Sequence, residues 1–227
     1  MTAEPETAVL WDMDGVICDS ASCHYLAWNR MMARKGILVT EEVFRGGFGQ
    51  RTDAFISSLV GGEVSPAEIQ NIALEKERYF RRIVRGCLEP LPGVVPLLNS
   101  LREVGYRMAL ASSAPQANIS LTLNELDITG YFETVVSGDD VTDGKPSPQI
   151  FLLAAQRLGV TPTRCLVIED AVVGVTAARR AGMFCLAVTN THPAERLVAA
   201  DLVVSSLAEV NTDVIKNIFK KSKGVTG

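Results

Sequence analysis

The sequence predicts an α/β fold: a doubly wound parallel sheet with helices on both faces and a helical domain inserted after the first strand. Three observations predict it. Short β-rich runs ending in polar residues alternate with amphipathic helical patterns, as βαβ units require. The stretch from about Ala21 to about Glu89 breaks that alternation with a nearly all-helical pattern. Four successive strand ends carry carboxylates, hydroxyls or a lysine, and a parallel sheet brings such ends to one rim.

The first strand is read at Ala8–Asp12. Within the helical stretch, Arg45–Gly49 and Gly61–Pro66 are polar or Gly-rich breaks. A helix from Pro66 to about Val84 carries an apolar stripe at Ile69, Ile72, Ala73, Phe80 and Ile83. Alternation resumes at Leu91-Pro92-Gly93. Val94, Leu97, Leu98 and Leu101 then mark a helix that Gly105 stops. Strands follow at Arg107–Ser112 and Thr134–Ser137. The next helix has Phe151, Ala154, Ala155 and Leu158 on one face, Ser147 as N-cap, Pro148 in the first turn and Gly159 as its stop. A strand at Cys165–Asp170 precedes the small-residue stripe Gly174, Ala177, Ala178 and Ala181, which suits close helix–sheet packing and ends at Gly182. The last strands are Phe184–Thr189 and Leu202–Ser205. Residues 1–19 and 91–227 thus form a discontinuous α/β core around a helical domain at 20–90. The joints near Cys18–Ser20 and Pro90–Gly93 are candidate hinges.

The 227 residues are 47% apolar and 21% charged, an ordinary globular balance that excludes wholesale disorder. The net charge of −4 argues against nucleic acid or an anionic membrane as partner. No apolar run approaches the roughly 20 residues needed to span a bilayer, and the polar start MTAEPET is not that of a signal peptide. Lys216, Lys220, Lys221 and Lys223 read as a solvated helix face or frayed tail. Cys18, Cys23, Cys87, Cys165 and Cys185 show no metal-ligand spacing, and with two histidines a zinc site is not expected. A reducing, cytoplasmic location is the plain expectation.

The chemistry lies at the strand ends. Asp12 and Asp14 stand two apart, on one side of an extended segment, with Gly15 allowing a sharp exit. Ser112-Ser113-Ala114-Pro115 brings hydroxyls and a helix start together, as an anion site requires. The third strand leads through Ser137-Gly138-Asp139-Asp140 to Gly144-Lys145-Pro146, and the fourth ends in Glu169-Asp170. Two like charges about 4 Å apart repel by ~4 kcal/mol at an effective dielectric of ~20, so this many carboxylates call for a cation. All-oxygen ligation selects a hard ion, foremost Mg2+. Each motif alone has a plain structural reading: an aspartate pair by chance, an N-capping serine, a turn, a capping carboxylate. Their order at successive strand ends favours a phosphoryl site.

At this point the sequence resembles the haloacid dehalogenase superfamily. AVLWDMDGVICDS is similar to its first motif, ALASS to its second, GKPSPQIF to its third and CLVIEDAVVGVTAARRAG to its fourth, so the likeness covers nearly the whole chain. It implies a Rossmann-like core with an α-helical cap, and within the superfamily it is nearest the β-phosphoglucomutase-like group. The resemblance makes Asp12 the nucleophile that forms an aspartyl-phosphate and Asp14 the general acid and base. Ser112, Ser113 and Lys145 would hold phosphoryl oxygens. Mg2+ would be held by Asp12, Asp170 and the Asp14 carbonyl, with Glu169 as ligand or close beside. His24, Arg51 and Lys76 stand where the group has similar cap residues. Lys76 falls on an apolar stripe, so its stem snorkels or its charge points into the cleft. For His24 and Arg51 a structural or solvated role competes evenly.

The resemblance leaves phosphatase and mutase to be separated. In the β-phosphoglucomutase pattern the loop after the second-motif serine carries Ser, Lys and Asn that grip a distal phosphate; here those places hold Ala114, Pro115 and Gln116. Each missing charge-assisted hydrogen bond weakens such a site by about 1.5–3 kcal/mol. The expectation is a phosphatase of a small phosphorylated metabolite, with β-phosphoglucomutase as the alternative. A non-catalytic phospho-receiver domain also has an acidic pocket, but it has no use for a helical insertion. The expected partner is a small-molecule phosphate ester, with the protein a monomer or weak dimer.

Overall fold

The structure, a computed structural model, describes residues 7–47 and 52–220. The chain divides into an α/β unit, Met1–Asp19 with Glu89–Gly227, and a helical unit, Ser20–Leu88. Glu89 and Pro90 therefore belong to the α/β unit and not, as the sequence suggested, to the helical one. The reason is local pairing: Pro90 bridges Cys18, and Leu91 N–H donates to the Ile17 carbonyl at 2.8 Å.

The α/β unit holds β1 (Ala8–Trp11), β2 (Arg107–Ala111), β3 (Thr134–Val136), β4 (Cys165–Glu169), β5 (Phe184–Val188) and β6 (Leu202–Val204). They form one sheet in the order β3-β2-β1-β4-β5-β6, and every pairing is parallel. The direction of winding reverses between β1 and β4, the place where open α/β sheets form a crevice. All six strands start where the sequence placed them, and each ends one residue earlier. The polar residue at the end is only half in the ladder. Asp12, Ser112 and Thr189 each still donate an N–H to the neighbouring strand, to Ile168, Val136 and Val204, while the chain turns away beyond them.

Among the described residues nine helices accompany the sheet: α1 (Ala21–Ala33), α2 (Glu41–Gly47), α3 (Thr52–Val60), α4 (Pro66–Ile83), α5 (Val94–Glu103), α6 (Gln116–Glu125), α7 (Gln149–Leu158), α8 (Val172–Arg180) and α9 (Thr212–Lys220). Phe151, Ala154, Ala155 and Leu158 of α7, with Val175, Ala177 and Ala178 of α8, bury against Ala8, Leu10, Ala109, Ala111, Val167 and Cys185 of the sheet. The pleat sends Val9, Trp11, Met108, Leu110, Leu166 and Ile168 to the other face, where they are equally buried. Both faces are thus covered, as a parallel sheet requires. Helix α7 begins one residue later than expected: Pro148 occupies the cap position and the Ser147 hydroxyl accepts only a long bond from Gln149 N–H, 3.4 Å. Gly159 ends it in the left-handed conformation.

The helical unit has its own core, with Trp28, Met31 and Met32 of α1 against Phe44, Phe55, Ile56 and Ile72. Helix α4 starts on Ser65, whose hydroxyl accepts from Glu68 N–H, with Pro66 in the first turn. Among the described residues no helix is long and apolar enough to cross a membrane.

Candidate active site

Strand register builds the site. Trp11 lies opposite Ile168, so the next residues, Asp12 on β1 and Glu169 on β4, come level at the rim where winding reverses. Leu10 faces α7 and α8, and Asp12, two residues on, projects to the same side. Lys145 arrives there from the loop before α7, its ammonium 4.9 Å from the Phe151 ring centroid. It donates to Asp12 Oδ1 at 2.6 Å and to Glu169 Oε1 at 2.7 Å. The second Glu169 oxygen accepts from the N–H groups of Asp170 and Ala171, both at 2.8 Å, at the start of α8. Glu169 is therefore both a helix-capping carboxylate and a partner of Lys145. Gly174 makes room for it, since a Cβ there would overlap its carboxylate.

Asp12, Glu169 and Asp170 are all buried, and each offers an oxygen within 4.8 Å of the others. One ammonium faces three carboxyl groups. Burial first, then repulsion among the carboxylates, pushes the Asp12 and Asp170 carboxyls well above the usual range. Burial alone would lower the Lys145 ammonium, but attraction to Asp12 and Glu169 overcomes it and holds the lysine charged. A divalent cation fits this all-oxygen set, because it supplies the charge the lysine leaves uncompensated.

Asp14 is half-buried on the turn that leaves β1, where Gly15 takes φ +79°. It stands outside the three-carboxylate cluster. Ser112 follows β2 on the neighbouring strand, is buried, and its hydroxyl accepts from Ala114 N–H at 3.2 Å. Ser113 is exposed beside it. The structure thus brings Asp12, Lys145, Glu169 and Asp170 into contact, with Asp14 and Ser112 at the same sheet rim.

The remaining candidates lie in the helical unit. The Lys76 ammonium is 2.7 Å from His24 Nδ1, donates to Glu77 Oε1 at 2.8 Å, and lies 5.5 Å from the ring centroids of Trp28 and Phe80. Lys76 is 5% exposed, so it does not snorkel. His24 stacks on Phe80 with centroids 4.0 Å apart. Burial and the adjacent ammonium hold its imidazole well below its ordinary pKa, so it is neutral and Nδ1 accepts from Lys76. Arg51 lies outside the described residues.

Sequence reasoning missed two residues. Asn190 donates to the Gly15 carbonyl at 2.8 Å, and the Thr191 hydroxyl lies beside the Asp170 carboxylate, next to Gly15. Their signal was present: Thr189-Asn190-Thr191-His192 is a fifth polar strand end on the same rim.

The haloacid dehalogenase-like hydrolase profile matches residues 6–182. A phosphorylated carbohydrates phosphatase of Thermotoga maritima is 30% identical over 93% of this chain and 99% of its own. A β-phosphoglucomutase of Bacillus subtilis is 33% identical over 92% of this chain and 93% of its own. The crystal structure of β-phosphoglucomutase from Clostridium difficile superposes with a TM-score of 0.84 at 28% identity, covering 96% of this chain and 99% of that one.

Proposed function

The chain belongs to the haloacid dehalogenase-like hydrolases, and from that premise we propose that it is a Mg2+-dependent phosphatase of a small phosphorylated metabolite, a sugar phosphate or a compound like one. The observation that carries the reading is Lys145 bridging Asp12 and Glu169 beside Asp170, with Asp14 two residues from Asp12. Asp12 Oδ attacks phosphorus as the bond to the leaving oxygen breaks, and Asp14 gives that oxygen its proton. Asp14 then takes a proton from water, whose oxygen displaces Asp12 and releases inorganic phosphate. Lys145 and the Ser112 and Ser113 hydroxyls hold phosphoryl oxygens. Asp12, Asp170 and the Asp14 carbonyl would hold the cation; Glu169, with both oxygens engaged, sits beside it. When bound, the ion offsets the negative charge of nucleophile and phosphate.

The helical unit supplies substrate selection in this reading, with His24, Lys76 and Arg51 as its candidates. The relationship to β-phosphoglucomutases keeps the mutase as second reading, favoured by the His24–Lys76 pair. Against it, the Gln116 N–H at the start of α6 already donates to the Asp139 carboxylate at 2.8 Å. A second phosphate approaching that helix end meets a negative charge instead of a serine, a lysine and an asparagine. None of the five cysteines forms a disulfide, and four are buried, which supports a reducing cytoplasmic setting.

Incubation with Mg2+ and β-glucose 1-phosphate, following glucose 6-phosphate and free phosphate, separates the two readings. Phosphate release without isomerisation is expected, and efficient isomerisation reverses the choice. A panel of phosphorylated metabolites then identifies the substrate. Asp12→Asn, or EDTA, abolishes turnover in either case.

A further inference from the structure

The loop after β5 touches the site at two points. Gly15 is the residue through which the Asp14 turn passes. Its N–H donates to the Cys18 carbonyl at 2.8 Å, and its own carbonyl accepts from Asn190 Nδ2, also at 2.8 Å. The carbonyl acceptor fixes which way the Asn190 amide points. The next residue, Thr191, sets its hydroxyl beside the Asp170 carboxylate, both groups bordering the space at Gly15. The two contacts close on each other: a Cβ on Gly15 would overlap Asp170 Oδ2 and lie 2.8 Å from Thr191 Oγ1. The acid/base turn, the carboxylate and the loop are therefore packed to a tolerance smaller than one methyl group.

We propose that Asn190 and Thr191 are positioning residues that clasp the Asp14–Gly15 turn to Asp170, so that one loop sets both the proton donor and the carboxylate that would hold the cation. The inference rests on the phosphatase reading for its kinetic half and on the donor set alone for its metal half. Asn190 acts on the turn and so on protonation of the leaving oxygen. Thr191 acts on the orientation of a ligand, where partners of metal-holding groups commonly change affinity about 10-fold or more.

Both halves have separate readouts in the full-length protein. p-Nitrophenolate leaves without needing a proton, whereas a sugar alkoxide needs one. In the pre-steady-state burst, which reports phosphorylation of Asp12 alone, Asn190→Ala is expected to slow release of the sugar from the sugar phosphate that the wild type turns over fastest by about 10-fold, while the burst of p-nitrophenolate stays within about 3-fold. Thr191→Val is expected to weaken Mg2+ binding, measured by calorimetry without substrate, by about 10-fold, and Thr191→Ser to restore it. Equal slowing of both bursts by Asn190→Ala, or wild-type Mg2+ affinity in Thr191→Val, overturns the clasp. A wild type that hydrolyses neither ester sinks the phosphatase reading instead, and calorimetry still decides the clasp.

Discussion

Lys145 holds two buried carboxylates on one ammonium, and its side chain is itself only 6% exposed. Lys145→Met leaves Asp12 and Glu169 buried without that partner, which costs about 3–5 kcal/mol. Thermal unfolding in EDTA should show this as a large drop in Tm, and saturating Mg2+ should recover part of it. Turnover should fall about 10²–10³-fold, because the same ammonium faces the phosphoryl oxygens. A variant that melts like the wild type in EDTA would show that the ion pairs contribute nothing. Asp12, Glu169 and Asp170 were legible as one group because a residue at the end of a parallel strand has its place in space fixed by its place in the chain; Lys145, in the loop between β3 and α7, was placed with them by the order of the motifs. Lys76 was less so. The apolar stripe of α4 says that its stem is buried, but its partner His24 is 52 residues away in the sequence, and no periodicity connects them.

At the scale of elements, Asp140 ties β3 to α7. It accepts from Ser137 N–H at 2.8 Å, from Ser137 Oγ at 2.7 Å, and from the Arg157 guanidinium at 2.6 Å. The Ser137 N–H first, then the Arg157 guanidinium, hold its carboxyl down to about 2. A carboxyl lowered in the folded state contributes stability above its unfolded value, about 3.9, and loses it as pH falls through the folded value. Asp140→Ala should therefore lower Tm at pH 7, and the gap to the wild type should close between about pH 4 and pH 2. A gap of constant size down to pH 2 would mean that the carboxylate charge is not what joins the two elements. The strand starts were legible because β-rich apolar runs begin abruptly. The ends were read one residue long because Asp12, Ser112 and Thr189 donate one bond to the ladder and then turn, and composition does not register half a ladder position.

For the whole molecule, two separate hydrophobic cores predict two separable folding units. Replacing Ser20–Leu88 by a short Gly/Ser bridge should leave a protein that melts cooperatively and still binds Mg2+, while losing discrimination among phosphate esters. Failure to fold would show that the α/β unit depends on the helical one. The division was readable as a break in strand–helix alternation. Its second boundary was placed two residues late, because a proline at a domain joint looks the same on either side until its pairing partner is known.

That partner has a wider consequence. The Cys18–Pro90 bridge stitches the chain's point of departure to its point of return. The framework therefore presents one closed socket, whatever is plugged into it. Enlarging a loop held at such a neck raises its closure cost only logarithmically, about 0.6 kcal/mol per doubling of length. Lineages sharing this socket could exchange or enlarge their inserts without re-engineering the sheet, and a laboratory graft of a foreign helical module should be cut at the same seam.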